Sequence, residues 1–156
     1  VHMSRGLGDV YKRQIKMENK FKIIVSYIKD LSVEIPSPEA LVTIRNTIPE
    51  YKMKVDINSK PLKRKMIEVL TTLTYENPNK KKEKGFFQIA YANVIEIYDL
   101  QINKSDLEKI ILSDLQIMMY PELEEKFLTI LRSSGLPDLK FGNKIDFEKL
   151  YKERLN

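Results

Sequence analysis

Tyr51-Lys52-Met53-Lys54-Val55-Asp56-Ile57-Asn58 alternates apolar and polar side chains without a break. Successive side chains of a strand point to opposite faces, so the stretch predicts a strand with one buried and one wet face. Lysines on one side and aliphatic residues on the other suit an antiparallel sheet that is covered on a single face. Asn58-Ser59-Lys60-Pro61 then reads as the turn that closes it.

Upstream, apolar residues occupy odd positions at Phe21, Ile23, Val25 and Tyr27, and again at Leu31, Val33 and Ile35. Lys29 interrupts this strand and predicts a bulge or a change of face. Pro36 and Pro38 lack ladder donors and end it, and residues 36–48 read as a connection with room for a short helical turn over 39–45. Downstream, a third strand is expected over 65–76. Ile67, Val69, Leu73 and Tyr75 share one of its sides, and Met66, Glu68, Leu70 and Thr72 the other. Asn77-Pro78-Asn79 opens a polar loop that Gly85 closes. The fourth strand, 86–97, is apolar on both faces apart from Gln88, Asn93 and Glu96.

The period then changes. Ser105 with Asp106 and Glu108 predicts a capped helix start, and Leu107, Ile110, Ile111, Leu115 and Met118 recur at helical spacing. Pro121 predicts a kink or break near residues 119–120. A second run carries Leu123, Phe127, Leu128, Ile130 and Leu131 and stops at Ser133-Ser134-Gly135. After a loop over 136–144, Asp146 caps a last helix with Phe147, Leu150, Tyr151 and Leu155. The expected fold class is α+β: a four-stranded antiparallel sheet followed by two helices packed on one face. Two helices cover one face only, so the apolar residues on both sides of strands three and four predict a further layer, most simply a second copy of the chain.

Composition narrows function by exclusion. With 156 residues the chain is one domain long, and with no Cys and His2 as its only His it lacks thiol and Ser-His catalysis and multi-His metal sites. No phosphate-binding glycine loop or nucleophile elbow occurs. Glu122, Glu124 and Glu125 read as solvated acids beside Pro121. The expectation is a protein that is not an enzyme and needs no cofactor or metal.

Lys and Arg number 27 against 22 Asp and Glu, a net charge of +5 that points only weakly to nucleic acid. Lys80-Lys81-Lys82-Glu83-Lys84 is the one strong charge run, and no aromatic residue interleaves its lysines as a nucleic-acid platform would require. A basic α+β nucleic-acid-binding domain is the alternative of a different class. No apolar run approaches the roughly 18 residues of a membrane span, and no secretory signal is legible, so a cytoplasmic protein without direct membrane insertion is expected. The opening VHMSRGLGDVYKRQ has no helical or strand period and resembles translated sequencing-adaptor sequence. Residues 1–20 are therefore read as a non-native or disordered leader, with the adaptor-like part in 1–14, and 21–156 as a single domain.

Several segments resemble the SecB family of bacterial protein-export chaperones. Tyr27-Ile28-Lys29-Asp30-Leu31-Ser32-Val33-Glu34-Ile35-Pro36 is similar to the family's first-strand motif, and Pro49-Glu50-Tyr51-Lys52-Met53-Lys54-Val55 to its second strand. Tyr120-Pro121-Glu122 stands at the family's helix break, and Gly135-Leu136-Pro137-Asp138-Leu139 and Ile145-Asp146-Phe147-Glu148-Lys149-Leu150-Tyr151 follow at similar spacing.

The resemblance implies a homo-oligomer built as a dimer of dimers, with ATP-independent holdase binding of unfolded polypeptides or preproteins in apolar grooves. It implies groove positions at Tyr51, Met53, Val55, Leu128, Tyr151 and Leu155, each of which is equally a plausible core residue. It implies docking of a SecA-like translocase motor at Asp30 and Glu34, which four-residue spacing puts on one strand face. Gln88 stands where the family usually has an acid. A SecB-like chaperone serving a toxin–antitoxin pair is the alternative within the same class.

Overall fold

The computed structural model describes residues 20–79, 85–142 and 144–155, the side chain of Leu155 excepted. Of the leader assigned to 1–20, all but Lys20 lies outside the described residues, as do the Lys80–Lys84 loop and the groove assignment of Leu155.

Four strands form one antiparallel sheet: β1 (Phe21–Glu34), β2 (Lys52–Pro61), β3 (Met66–Glu76) and β4 (Phe86–Ile97). Their spatial order is β1-β4-β3-β2, so β2, β3 and β4 make a meander and β1 adds beside β4. The two edges are therefore β1 and β2. One face is set by rows such as Val55, Leu73, Ile89 and Leu31, which stand opposite one another across all four strands.

Two register shifts in β1 leave Ile24 and Lys29 as extra residues. The bulge at Lys29 matches the sequence; the one at Ile24 does not announce itself there. It moves Val25 and Tyr27 off the face that holds Phe21 and Ile23 and places them opposite Val94 and Ala92. The second bulge returns Leu31 and Val33 to the first face.

The expected turn at Asn58-Ser59-Lys60-Pro61 is strand instead, paired residue for residue with Ile67–Leu70. An edge strand tolerates proline because one side of it needs no donor. The reversal comes at Arg64 and Lys65, both with positive φ, and is closed by the Leu62 N–H donating to the Met66 carbonyl at 2.8 Å.

Between β1 and β2, α1 (Pro38–Asn46) starts at Ser37, whose hydroxyl accepts the Ala40 N–H, and a 3-10 turn Ile48–Glu50 follows. After β4 come α2 (Lys104–Lys109), a π-helical turn Ile110–Asp114, and α3 (Leu115–Ser133). Right-handed helical dihedrals at Lys109, Ile110, Asp114 and Leu115 make these one continuous rod. It is capped by Asn103, whose side-chain Oδ1 accepts the Asp106 N–H at 2.8 Å, two residues before the expected Ser105.

The break expected at Pro121 does not occur; Pro121 lies inside α3. Met119, Tyr120 and Leu123 around it are all buried, and that packing outweighs the one backbone bond proline removes. Gly135 ends the rod with a φ of 94°, and a Cβ there would come within 3.0 Å of Leu41 on α1. The last helix, α4 (Phe147–Leu155), is capped by Asp146 as expected, its carboxylate accepting the Lys149 N–H at 3.0 Å.

The core lies between the sheet and the rod, with Phe21, Leu73, Phe87, Ile89, Leu115 and Phe127 among its fully buried side chains. The opposite face of β3 and β4 carries Met66, Leu70, Phe86, Ala90, Ala92 and Val94, mixed with polar side chains. Ala90 and Ala92 are small enough to be shielded by neighbours such as Leu70 and Thr72, and Glu68, Thr74, Gln88 and Glu96 share that face. The uncovered apolar surface sits on β1, where Ile24, Val25, Tyr27, Ile28 and Leu31 are all about two-fifths exposed or more.

Candidate peptide-binding site

At the Tyr51 end of β2 the helix-covered face is floored by aromatic rings. Tyr51 lies 5.2 Å from Tyr75 and 6.3 Å from Phe87, centroid to centroid. Phe141, from the loop between α3 and α4, meets Tyr75 edge-on at 5.3 Å and lies 6.0 Å from Phe127. Burial raises the Tyr51 phenol above its ordinary value, and burial followed by the proximity of Tyr51 does the same for Tyr75. Both rings stay neutral near pH 7 and offer apolar surface rather than charge.

Met53 stands opposite Tyr75 and Val55 opposite Leu73, so these two extend the aromatic floor along β2. Each is half-buried because β2 is an edge strand and the rod packs nearer the sheet's centre. Leu128 is also half-buried, one residue beyond the buried Phe127. Tyr51, Met53 and Val55 thus lie along one floor with Tyr75, which Phe141 joins to Phe127, and Leu128 packs against the same core from α3. Tyr51 itself is buried in the chain. Tyr151 is buried too, but it is tied elsewhere: its hydroxyl donates to the Ser105 carbonyl at 3.3 Å, where α4 meets the start of α2.

A second opening of about 550 Å³ separates α3 from the approach to α4, lined by Gln116, Tyr120, Pro121, Glu124, Ile145 and Phe147 among others. Tyr120 and Phe147 meet edge-on at 5.0 Å. Burial first, then Glu124, raises the Tyr120 hydroxyl far above its ordinary value. Gln116 is anchored beneath by donating to Thr71 Oγ1 at 3.0 Å and to the Ile111 carbonyl at 3.3 Å, which fastens the rod to β3.

Sequence reasoning missed Tyr75, Phe141, Tyr120 and Phe147 as surface-forming aromatics. Phe141 alone left a signal: an aromatic residue in a loop of Lys140, Gly142 and Asn143 has no helix or strand to pack by itself.

On the other face of the sheet, Asp30, Ser32 and Glu34 stand opposite Ala90, Gln88 and Phe86, so both acids project from the same side and both are exposed. Nearby, Lys29 Nζ lies 2.6 Å from Glu68, and the Tyr27 hydroxyl donates to the same carboxylate at 3.2 Å. The Lys29 hydrogen bond, chiefly, holds Glu68 below the usual carboxylate range and raises Lys29 in return. Among the described residues no acidic or His cluster could hold a metal ion, and no helix is long and apolar enough to cross a membrane.

The family model for preprotein translocase subunit SecB matches residues 14–156. The chain belongs to the SecB family. A putative protein-export protein SecB from Pelagibacter ubique is 41% identical over 140 residues, covering 90% of this chain and 100% of its own. Protein-export protein SecB from Bradyrhizobium diazoefficiens is 23% identical over 136 residues, covering 87% and 83%. Among solved structures, a SecB-like chaperone from Mycobacterium tuberculosis, in complex with a ChAD peptide from the HigA1 antitoxin, superposes with a TM-score of 0.58. That likeness covers 87% of this chain and 99% of the other, and at 10% identity it shows a shared fold. SecB proteins are chaperones rather than enzymes, and this SecB chain is a chaperone of the protein-export family.

Proposed function

We propose that the chain is an ATP-independent holdase that keeps unfolded preproteins unfolded for export, binding them along the apolar strip of β2 and α3. The observation that carries this reading is the half-buried pair Met53 and Val55 on β2, continuous with the Tyr51, Tyr75 and Phe141 rings, with half-buried Leu128 on α3 as the proposed second wall. Such a strip gives affinity by removing apolar surface from water, about 25 cal/mol per Å², without demanding a sequence. Tyr51 serves as its floor, while Tyr151, held at Ser105 where α4 meets α2, and Leu155 are assigned to the binding surface by family resemblance alone. The opening between α3 and α4 offers further aromatic surface. Export is favoured over toxin–antitoxin service because the 41% identical relative carries the export name.

Two further elements belong to the reading. The chain works as a homo-oligomer, a dimer of dimers, since among the described residues β1 is an edge strand with exposed Ile24, Val25 and Ile28, and a hollow of about 750 Å³ lies between Ile28 and α3. Asp30 and Glu34 form the acidic contact for a SecA-like motor. The cytoplasm is the compartment, residues 21–156 act as one domain, and 1–14 are dispensable.

Met53→Gln and Leu128→Gln test the groove. Client affinity falls by roughly 1–2 kcal/mol per site while the melting temperature holds, because partly exposed positions tolerate an amide. A sharp drop in melting temperature in both variants, with client affinity per folded molecule unchanged, would make them ordinary core and refute the strip.

A further inference from the structure

The connection between β2 and β3 reads Lys60-Pro61-Leu62-Lys63-Arg64-Lys65, four cations in six residues with no acid. Lys63, Arg64 and Lys65 form no ion pair among the described residues. Arg64 and Lys65 hold φ values of 60° and 66°, a conformation that side-chain-bearing residues adopt at a cost and that Asn or Gly would take more readily. Local stability therefore argues against these residues at the tip, and their presence there suits a role for their charge.

The tip also shows apolar surface. Leu62 is 38% exposed between Lys60 and Lys63. The Lys65 carbonyl accepts the Ile97 N–H at 3.3 Å, and the next residue, Tyr98, donates its N–H to the Lys20 carbonyl at 3.2 Å. The same end of the sheet thus continues from Arg64 and Lys65 to Tyr98, 50% exposed, and Leu100, 56% exposed. Asp99 stands among them, with its carboxylate already accepting the Gln101 N–H.

We propose that this end of the sheet is a docking surface for an anionic lipid bilayer, with Lys63, Arg64 and Lys65 at the headgroups and Leu62, Tyr98 and Leu100 at the interfacial layer. Charge complementarity selects an anionic partner. The interleaved aliphatic and tyrosine side chains select lipid over nucleic acid, because a polyanion in water gives exposed leucines nothing to bury against, whereas a membrane interface does. The contact is peripheral and independent of the client strip, which lies toward the opposite end of β2.

The test is sedimentation of the full chain with vesicles of phosphatidylglycerol and phosphatidylcholine, against vesicles of phosphatidylcholine alone. The parent should partition to the anionic vesicles and release as salt rises. Each cation near such a surface contributes about fivefold, so Lys63→Gln, Arg64→Asn and Lys65→Gly together should weaken partitioning on the order of a hundredfold. The same variant should melt no lower than the parent, since Asn and Gly relieve the left-handed turn. Leu62→Ser alone should weaken partitioning severalfold at every salt concentration. No binding, equal binding to both vesicle types, or unchanged binding by the triple variant would overturn the proposal. Tighter capture by a duplex DNA of arbitrary sequence, lost in the same variant, would overturn it in favour of nucleic acid.

Discussion

Phe141 stands edge-on to Tyr75, ring centroids 5.3 Å apart and planes at 62°, and through this contact the loop between α3 and α4 closes over the end of β3. The described residues of the loop form no ladder, so its position rests on that ring, on the buried Leu136 and Leu139, and on Arg132 Nε, which donates to the Leu139 carbonyl at 2.9 Å. Phe141→Ala should cost about 1–2 kcal/mol in chemical denaturation. Under the strip reading it should also weaken client binding, and Phe141→Leu should restore stability more fully than affinity. Equal recovery of both would reduce Phe141 to a packing residue.

Oligomer state should depend on β1. Ile28 and Leu31 are each 43% exposed on the helix-side face, and Ile28 lines the hollow against α3. Ile28→Glu with Leu31→Glu places charge on that surface without entering the core, so light scattering should show smaller assemblies at an unchanged melting temperature per chain. A parent that scatters as an 18.3 kDa monomer at micromolar concentration would remove the assembly altogether.

Reversing Asp30 and Glu34 to Lys removes two negative charges from one patch. Motor affinity should fall several-fold or more at low salt, chiefly through slower association, while client affinity stays the same. Titration of the double variant with a SecA-like motor reads this directly; identical curves for variant and parent would end the docking assignment.

The Lys29–Glu68 pair sets a sign for pH dependence. Glu68 has a folded-state pKa below its ordinary value, so its contribution is present above the usual carboxylate range and is lost as pH falls through the depressed value. Lys29 is raised, and its share is lost only as pH rises through the raised value in alkali. Glu68→Gln should lower the neutral plateau of a melting-temperature profile modestly and so flatten its acid limb, with melting in acid little changed. An acid limb as steep as the parent's would mean that other carboxylates govern it.

Local periodicity determined much of this protein. The alternation at Tyr51–Asn58 established β2 and its buried face, the 86–97 run established β4 at its observed bounds, and Asp146 and Gly135 marked a helix start and a helix end. These signals are local: a strand's period, a cap's side chain and a left-handed residue act within a few positions, so they are written in the sequence. The family motifs lay in the same segments.

The tertiary structure decided the rest, because it depends on what each residue meets. Pro61 stays in a strand since β2 is an edge, and Pro121 stays in a helix since Met119, Tyr120 and Leu123 are buried around it. The bulge at Ile24 exists only in register with β4, and it sends Val25 and Tyr27 to the face opposite the one their odd numbering implies. The aromatic floor needs Tyr51, Tyr75, Phe127 and Phe141 from four separate segments to converge, and no spacing along the chain encodes a distance between rings.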